Sequence, residues 1–206
     1  MKQQPTPAPI KQDERILVVK RSDIMPDGPW YGIKQVDFDH YLEIIHKNMR
    51  FLWRSEMEHN PFYKQIIPYM VFTHNNKYFL MQRKATASET RLQNKFSLGI
   101  GGHIRMEDMT SPSIIDWAQR EFNEEVAYQG NLTIKPLGII NDDTNPVGQV
   151  HIGFVLLLQG DTDNIKVRSE LKSGHLVDLM GCRERYEGME SWSQMVFEAI
   201  IKKLTP

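Results

Sequence analysis

The chain has 206 residues, 40% of them hydrophobic and 25% charged, which suits one domain with a sizeable core plus an extension. Its net charge of −1 provides no global basic field for extended nucleic acid. The single cysteine, Cys182, excludes an intramolecular disulfide framework and a multi-Cys zinc site, and no apolar run reaches membrane-spanning length.

Residues 1 to about 13 are rich in Pro and Gln and read as mobile, and Met1–Pro7 lacks an apolar signal core. A reducing cytoplasm is therefore the expected compartment. Ile16–Val19 reads as a short strand and 23–32 as a loop with Pro26, Gly28 and Pro29. Residues 37–53 read as a helix with Tyr41, Ile44, Ile45, Met49 and Leu52 on its apolar side, broken at 56–61. Residues 66–73 and 78–82 read as strands around the turn His74-Asn75-Asn76-Lys77, hence a hairpin, followed by a polar connection over 85–94. A strand over Phe96–Ile100 leads into Gly101-Gly102. Strands are expected at 137–140 and 150–158 around a polar loop, with shorter ones at 166–168 and 175–179, and a closing helix over 190–204. This order predicts an α/β fold, a mixed sheet with helices on its faces.

The chemistry lies after the glycine pair, in Arg120-Glu121-Phe122-Asn123-Glu124-Glu125-Val126. On a helix each residue turns about 100°, so Glu121, Glu124 and Glu125 share one sector, roughly 40–140° from Arg120. Ile114, Ile115, Ala118, Phe122 and Val126 form an apolar stripe, and Ser111-Pro112 reads as N-cap and first helical residue. An acidic helix face is most often simply solvated. A glycine pair ahead of it lets backbone approach a ligand closely, and Mg²⁺ or Mn²⁺ favour carboxylate and carbonyl oxygens.

At these residues the chain resembles the Nudix hydrolase family, whose signature is G-x5-E-x7-R-E-U-x-E-E-x-G-U with U a bulky apolar residue. Gly102 matches the opening glycine and Arg120-Glu121-Phe122-x-Glu124-Glu125 the central block. Arg120 lies 18 positions after Gly102, four more than the signature has. The first signature Glu therefore has no fixed counterpart, Glu107 and Asp108 being the candidates to stand in, and Ala127 replaces the late glycine. The long form Gly-Ile-Gly-Gly-His-Ile, together with 65–103 and 141–148, is similar to a Nudix sub-group described only as predicted phosphoesterases.

The resemblance implies an α/β/α sandwich over 61–206. Residues 1–60 are then an N-terminal α/β extension that supplies a lid, a homodimer surface or part of the sheet. It also implies a Mg²⁺- or Mn²⁺-dependent pyrophosphohydrolase or phosphoesterase acting on a nucleotide-like small-molecule diphosphate. Glu121, Glu124 and Glu125 would hold metal with the Gly101 carbonyl, and Arg120 would orient the glutamates. Glu121, Glu124 or a loop acid such as Glu170 would accept a proton from water. Arg83, Gly102 and His103 are the candidate contacts to substrate. A nucleotide-binding regulator or a diphosphate isomerase is the alternative, the latter disfavoured because Cys182 lies far from the acidic helix. Other residues have plainer readings: His151 as a satisfied core or edge histidine, 141–146 as turn chemistry, Glu190 as a helix-dipole partner. Trp30, Tyr31 and Trp192 read as packing aromatics before nucleobase stackers.

Overall fold

Asn75 and Asn76 both adopt positive φ, 47° and 59°, as the tightest hairpin turns require. They form an exposed hairpin tip in a computed structural model that describes residues 13–83, 94–109, 111, 113–168 and 171–204. The elements before this turn are β1 (Arg15–Lys20), α1 (Arg21–Ile24), β2 (Gly32–Lys34), α2 (Phe38–Asn48), β3 (Arg50–Trp53), α3 (Arg54–Met57) and β4 (Tyr63–His74). After it come β5 (Lys77–Arg83), β6 (Phe96–Ser97), β7 (Gly99–Gly101), α4 (Ile114–Glu125), β8 (Val126–Tyr128), β9 (Leu132–Asn141) and α5 (Pro146–Val150). The chain closes with β10 (His151–Gly160), β11 (Ile165–Val167), β12 (Leu171–Val177), α6 (Leu179–Glu184) and α7 (Ser191–Leu204).

Among the described residues ten strands form one mixed sheet with the order β12-β5-β4-β10-β9-β2. β1 and β7 also pair with β4, β3 with β1, and β6 with β5. The β4–β10 pair is parallel and the other pairs in the sheet are antiparallel. Period-2 alternation sends β4 side chains to opposite faces. Met70 and Phe72 pack with Ala118 and Phe122 of α4, whereas Tyr69 and Val71 pack with Met195 and Val196 of α7. α2 joins the α4 face through Ile45 beside Trp117 and Phe154. The result is an α/β/α sandwich, and the first sixty residues contribute three strands to the same sheet system.

Several local readings change. The helix expected over 37–53 ends at Asn48, because Arg50–Trp53 pairs with Arg15–Val18 instead. Phe51, Leu52 and Trp53 favour a strand once a partner edge is available. The expected loop at 23–32 begins inside the short helix α1 and ends at the edge strand β2. The acidic helix starts two residues later than Ser111: Ser113 is its N-cap, accepting from the Ile115 N–H at 3.2 Å. Trp117, outside the expected stripe, is buried, while Ile115 is exposed. The connection at 85–94 lies outside the described residues apart from Asn94.

Candidate functional site

The end of β7 and the middle of α4 meet at one point. A Cβ at Gly102 would overlap the Glu121 carboxyl group, so only a glycine lets this backbone lie against that side chain. Gly101 pairs with Tyr69 of β4, which ties the glycine pair to the sheet centre. Trp117, buried one turn before Glu121, pins this row of the helix to the core. Glu121 is consequently mostly shielded while Glu124, a turn further on, is half-exposed. Burial pushes the Glu121 carboxyl up to about 7, with Arg120 opposing the shift and Glu125 and Glu124 adding to it.

Arg120 lies among these acids. Its Nη2 is 3.1 Å from Glu121 Oε2 and 3.0 Å from Asp108 Oδ2, and it donates to the His103 carbonyl at 3.2 Å. Its Nη1 is 2.7 Å from Glu124 Oε1, a close ion pair that is out of line for a hydrogen bond. Arg105 adds a second cation, 3.3 Å from Asp108 and 3.4 Å from Glu124. Of the two acids in the stretched loop, Asp108 is the one drawn in: its side chain is 5% exposed, against 68% for Glu107. Arg105 and Asp108 close the loop on themselves, the Asp108 carboxylate accepting from the Arg105 N–H at 2.8 Å. The site thus has a polar platform in which two arginines separate three carboxylates, those of Asp108, Glu121 and Glu124.

The other candidates distribute as follows. Glu125, partly buried, is at the last turn of α4, and its carbonyl accepts the Arg168 N–H at 2.8 Å. Glu170, two residues further on, lies outside the described residues. Arg83 ends β5 opposite Leu171, and its side chain is likewise outside them. Cys182 is fully buried with Leu80, Leu98 and Phe197, and burial raises its thiol to about 11, so it behaves as a small apolar residue. Trp192 packs edge-on against Tyr69, and the Trp30 indole donates to the Gly32 carbonyl. Glu190 directly precedes α7, where the dipole reading places it, and it has further partners. It is buried and accepts from Tyr69 at 3.0 Å and Ser97 at 2.6 Å, locking the start of α7 to β4 and β6.

His103 and His151 stand next to each other, their Nε2 atoms 3.3 Å apart. Glu58, which follows α3, approaches both, so one ligand atom from each of the three residues lies within 4.8 Å of the others. Sequence reasoning did not group these residues, because 45 and 48 positions separate successive members. It also passed over Arg105 and Asp108 as partners of Arg120; an Arg and an Asp three apart in a stretched loop was the available signal.

No protein-family model matches the chain. It is 33% identical to Protein YmaB of Bacillus subtilis over 92% of this chain and 98% of that one. Among solved structures it is similar to Tm1382, described as a candidate Nudix hydrolase, at 30% identity and a TM-score of 0.76 over 92% of this chain and all of that one. The Nudix domain of Shewanella oneidensis NrtR, solved with ADP-ribose, has a TM-score of 0.55 and 14% identity over 69% of this chain and 89% of that one, a likeness of fold. With the sheet, the glycine strand and the Arg-Glu-x-x-Glu-Glu helix in one arrangement that extends along the whole of a 30%-identical relative, the chain belongs to the Nudix family.

Proposed function

We propose that the protein is a divalent-metal-dependent hydrolase that cleaves a diphosphate linkage in a nucleotide or a related small molecule. The observation that carries this reading is the Glu121 carboxyl packed over Gly102, with Glu124 and Glu125 on the same sector of α4. The donor set fits Mg²⁺ or Mn²⁺: three carboxylates and, from the glycine strand, the Gly101 carbonyl are all oxygen ligands. The raised pKa of Glu121 fits as well, since a shielded carboxylate beside two others needs more positive charge than Arg120 provides.

When bound, such a cation supplies charge neutralisation at the diphosphate and activation of water. The chain's own residues do the rest. Glu121 or Glu124 accepts the proton of the attacking water, with Glu170 as the loop alternative. Arg120 is a positioning residue: by pairing with Glu121, Glu124 and Asp108 it holds the carboxylates while its bond to the His103 carbonyl holds the glycine strand. Arg83, Gly102 and His103 are the proposed contacts to substrate. The family supports a small-molecule substrate, and the ADP-ribose bound by the NrtR domain supports a nucleotide-like one.

The test is a phosphate-release screen over nucleoside di- and triphosphates, dinucleoside polyphosphates, nucleotide sugars including ADP-ribose, and prenyl diphosphates, with Mg²⁺ and Mn²⁺. EDTA should abolish turnover and either cation should restore it. Full turnover in EDTA would sink the mechanism, and tight nucleotide binding without turnover would make the protein a binding module.

A further inference from the structure

Three segments far apart in sequence deliver Glu58, His103 and His151 to one place. Glu58 is the C-cap of α3, in the N-terminal segment, with one carboxylate oxygen 3.2 Å from Arg54 Nε. His103 follows the glycine pair, and His151 is the first residue of β10. The imidazole Nε2 atoms are 3.3 Å apart. Two nitrogens bound to one tetrahedral cation at about 2.0–2.1 Å are separated by about 3.3–3.4 Å.

Surrounding groups fix the His151 ring as they do around metal-bound histidines. His151 Nδ1 is 2.7 Å from the Val147 carbonyl. A carbonyl only accepts, so the proton sits on Nδ1 and the lone pair of the neutral ring on Nε2, facing His103. Gln65 is fully buried, and its amide nitrogen donates to the Met57 carbonyl at 3.2 Å, which turns its oxygen to His103 Nε2 at 2.6 Å. That oxygen is the natural fourth donor.

We propose that Glu58, His103 and His151 form a second cation site, specific for a Zn²⁺-type transition metal, that clips the N-terminal segment onto the strand carrying the glycine pair. Its two imidazoles select Zn²⁺, Co²⁺ or Ni²⁺ over Mg²⁺, whereas the all-oxygen set on α4 has the opposite preference. The site shares His103 with the proposed substrate contacts, but none of its donor side chains comes from α4, so cation uptake here can be read apart from hydrolysis. Binding moves the His103 proton from Nε2 to Nδ1, so Nε2 exchanges its hydrogen bond to Gln65 for the metal.

The test uses the full chain, stripped with EDTA and dialysed. Zn²⁺ is titrated calorimetrically in excess Mg²⁺, and Co²⁺ is followed by its visible absorption. One Zn²⁺ should bind despite the Mg²⁺, and Co²⁺ should give the intense bands of four-coordination. A Glu124→Gln/Glu125→Gln double variant should retain both signals. His151→Gln should weaken binding by more than the roughly 10–100-fold that loss of an outer partner costs. If His151→Gln fails to fold by circular dichroism, Glu58→Gln, which changes a partly exposed side chain, makes the same test. Absence of stoichiometric Zn²⁺ uptake by the wild type would overturn the proposal. Wild-type affinity in Glu58→Gln and His151→Gln, or loss of the site in the α4 double variant, would overturn it as well. Phosphate release plays no part in these readouts, so failure here leaves the hydrolase reading standing, and the converse.

Discussion

Glu121 is held where an ionised carboxylate is disfavoured, and this makes a signed prediction. Its pKa rises from 4.5 to about 7 on folding. The folded protein therefore holds this proton more tightly than the unfolded chain. The contribution to stability is full below about pH 4.5 and is lost as pH rises through about 7. Glu121→Gln keeps the neutral shape at every pH. In EDTA at pH 8 it should be more stable than wild type, by on the order of 3 kcal/mol at most, and at pH 4 the difference should vanish. Urea midpoints at the two pH values measure this, and a variant no more stable at pH 8 would remove burial as the cause. Glu124→Gln and Glu125→Gln should instead leave the fold intact and lower kcat by about 10²–10³ or more on an identified substrate. Asp108→Asn should cost more activity than Glu107→Gln, because only Asp108 is shielded and bonded to both arginines. Equal losses in steady-state assays would show that the loop acids do not act through Arg120.

At the scale of elements, β7 is placed by its missing side chains. A Cβ at Gly99 would overlap the Tyr69 ring, and one at Gly102 the Glu121 carboxyl. The two alanine variants should therefore fail differently. Gly99→Ala overpacks the sheet centre and should lower stability by about 1–3 kcal/mol. Gly102→Ala displaces a carboxylate at the edge of the site and should cost about 10² in activity, the usual penalty of a misplacement near 1 Å. Thermal melts and turnover measured on both proteins separate the effects. A Gly102→Ala enzyme with wild-type turnover would show that Glu121 need not lie against the glycine strand.

At the scale of the whole molecule, Lys64 on β4 is a fully shielded cation. It donates to Asn141 at 2.8 Å and to the Gly148 and His151 carbonyls at 2.7 and 3.1 Å, and it pairs with Asp143 at 2.8 Å. Burial lowers its pKa to about 8, with Asp143 opposing. One ammonium thus ties β4 to the 141–151 segment, and so positions His151. Lys64→Met strands these acceptors. Removing one partner of a buried pair costs about 3–5 kcal/mol, and the Arg21 contact to Asp143 places this case near the lower bound. The urea midpoint should fall with an unchanged slope; a shift under about 1 kcal/mol would mean that the segment holds itself through its Asp142 and Asn145 turn bonds.

What the sequence determined by itself was local and periodic. The Asn75-Asn76 turn, the long apolar runs of β4 and β10 and the acidic sector of α4 are set by dihedral preference and repeat, which neighbouring residues carry. The family resemblance rested on such a local block. Only the tertiary structure decided that Arg50–Trp53 is a strand, because a partner edge 35 residues away supplies its hydrogen bonds. Only it decided that Asp108 rather than Glu107 meets Arg120, since shielding depends on how the loop closes. It alone brought Glu58, His103 and His151 together, because pairing of β4 with β10 and β7 sets the spacing of segments that no sequence period relates.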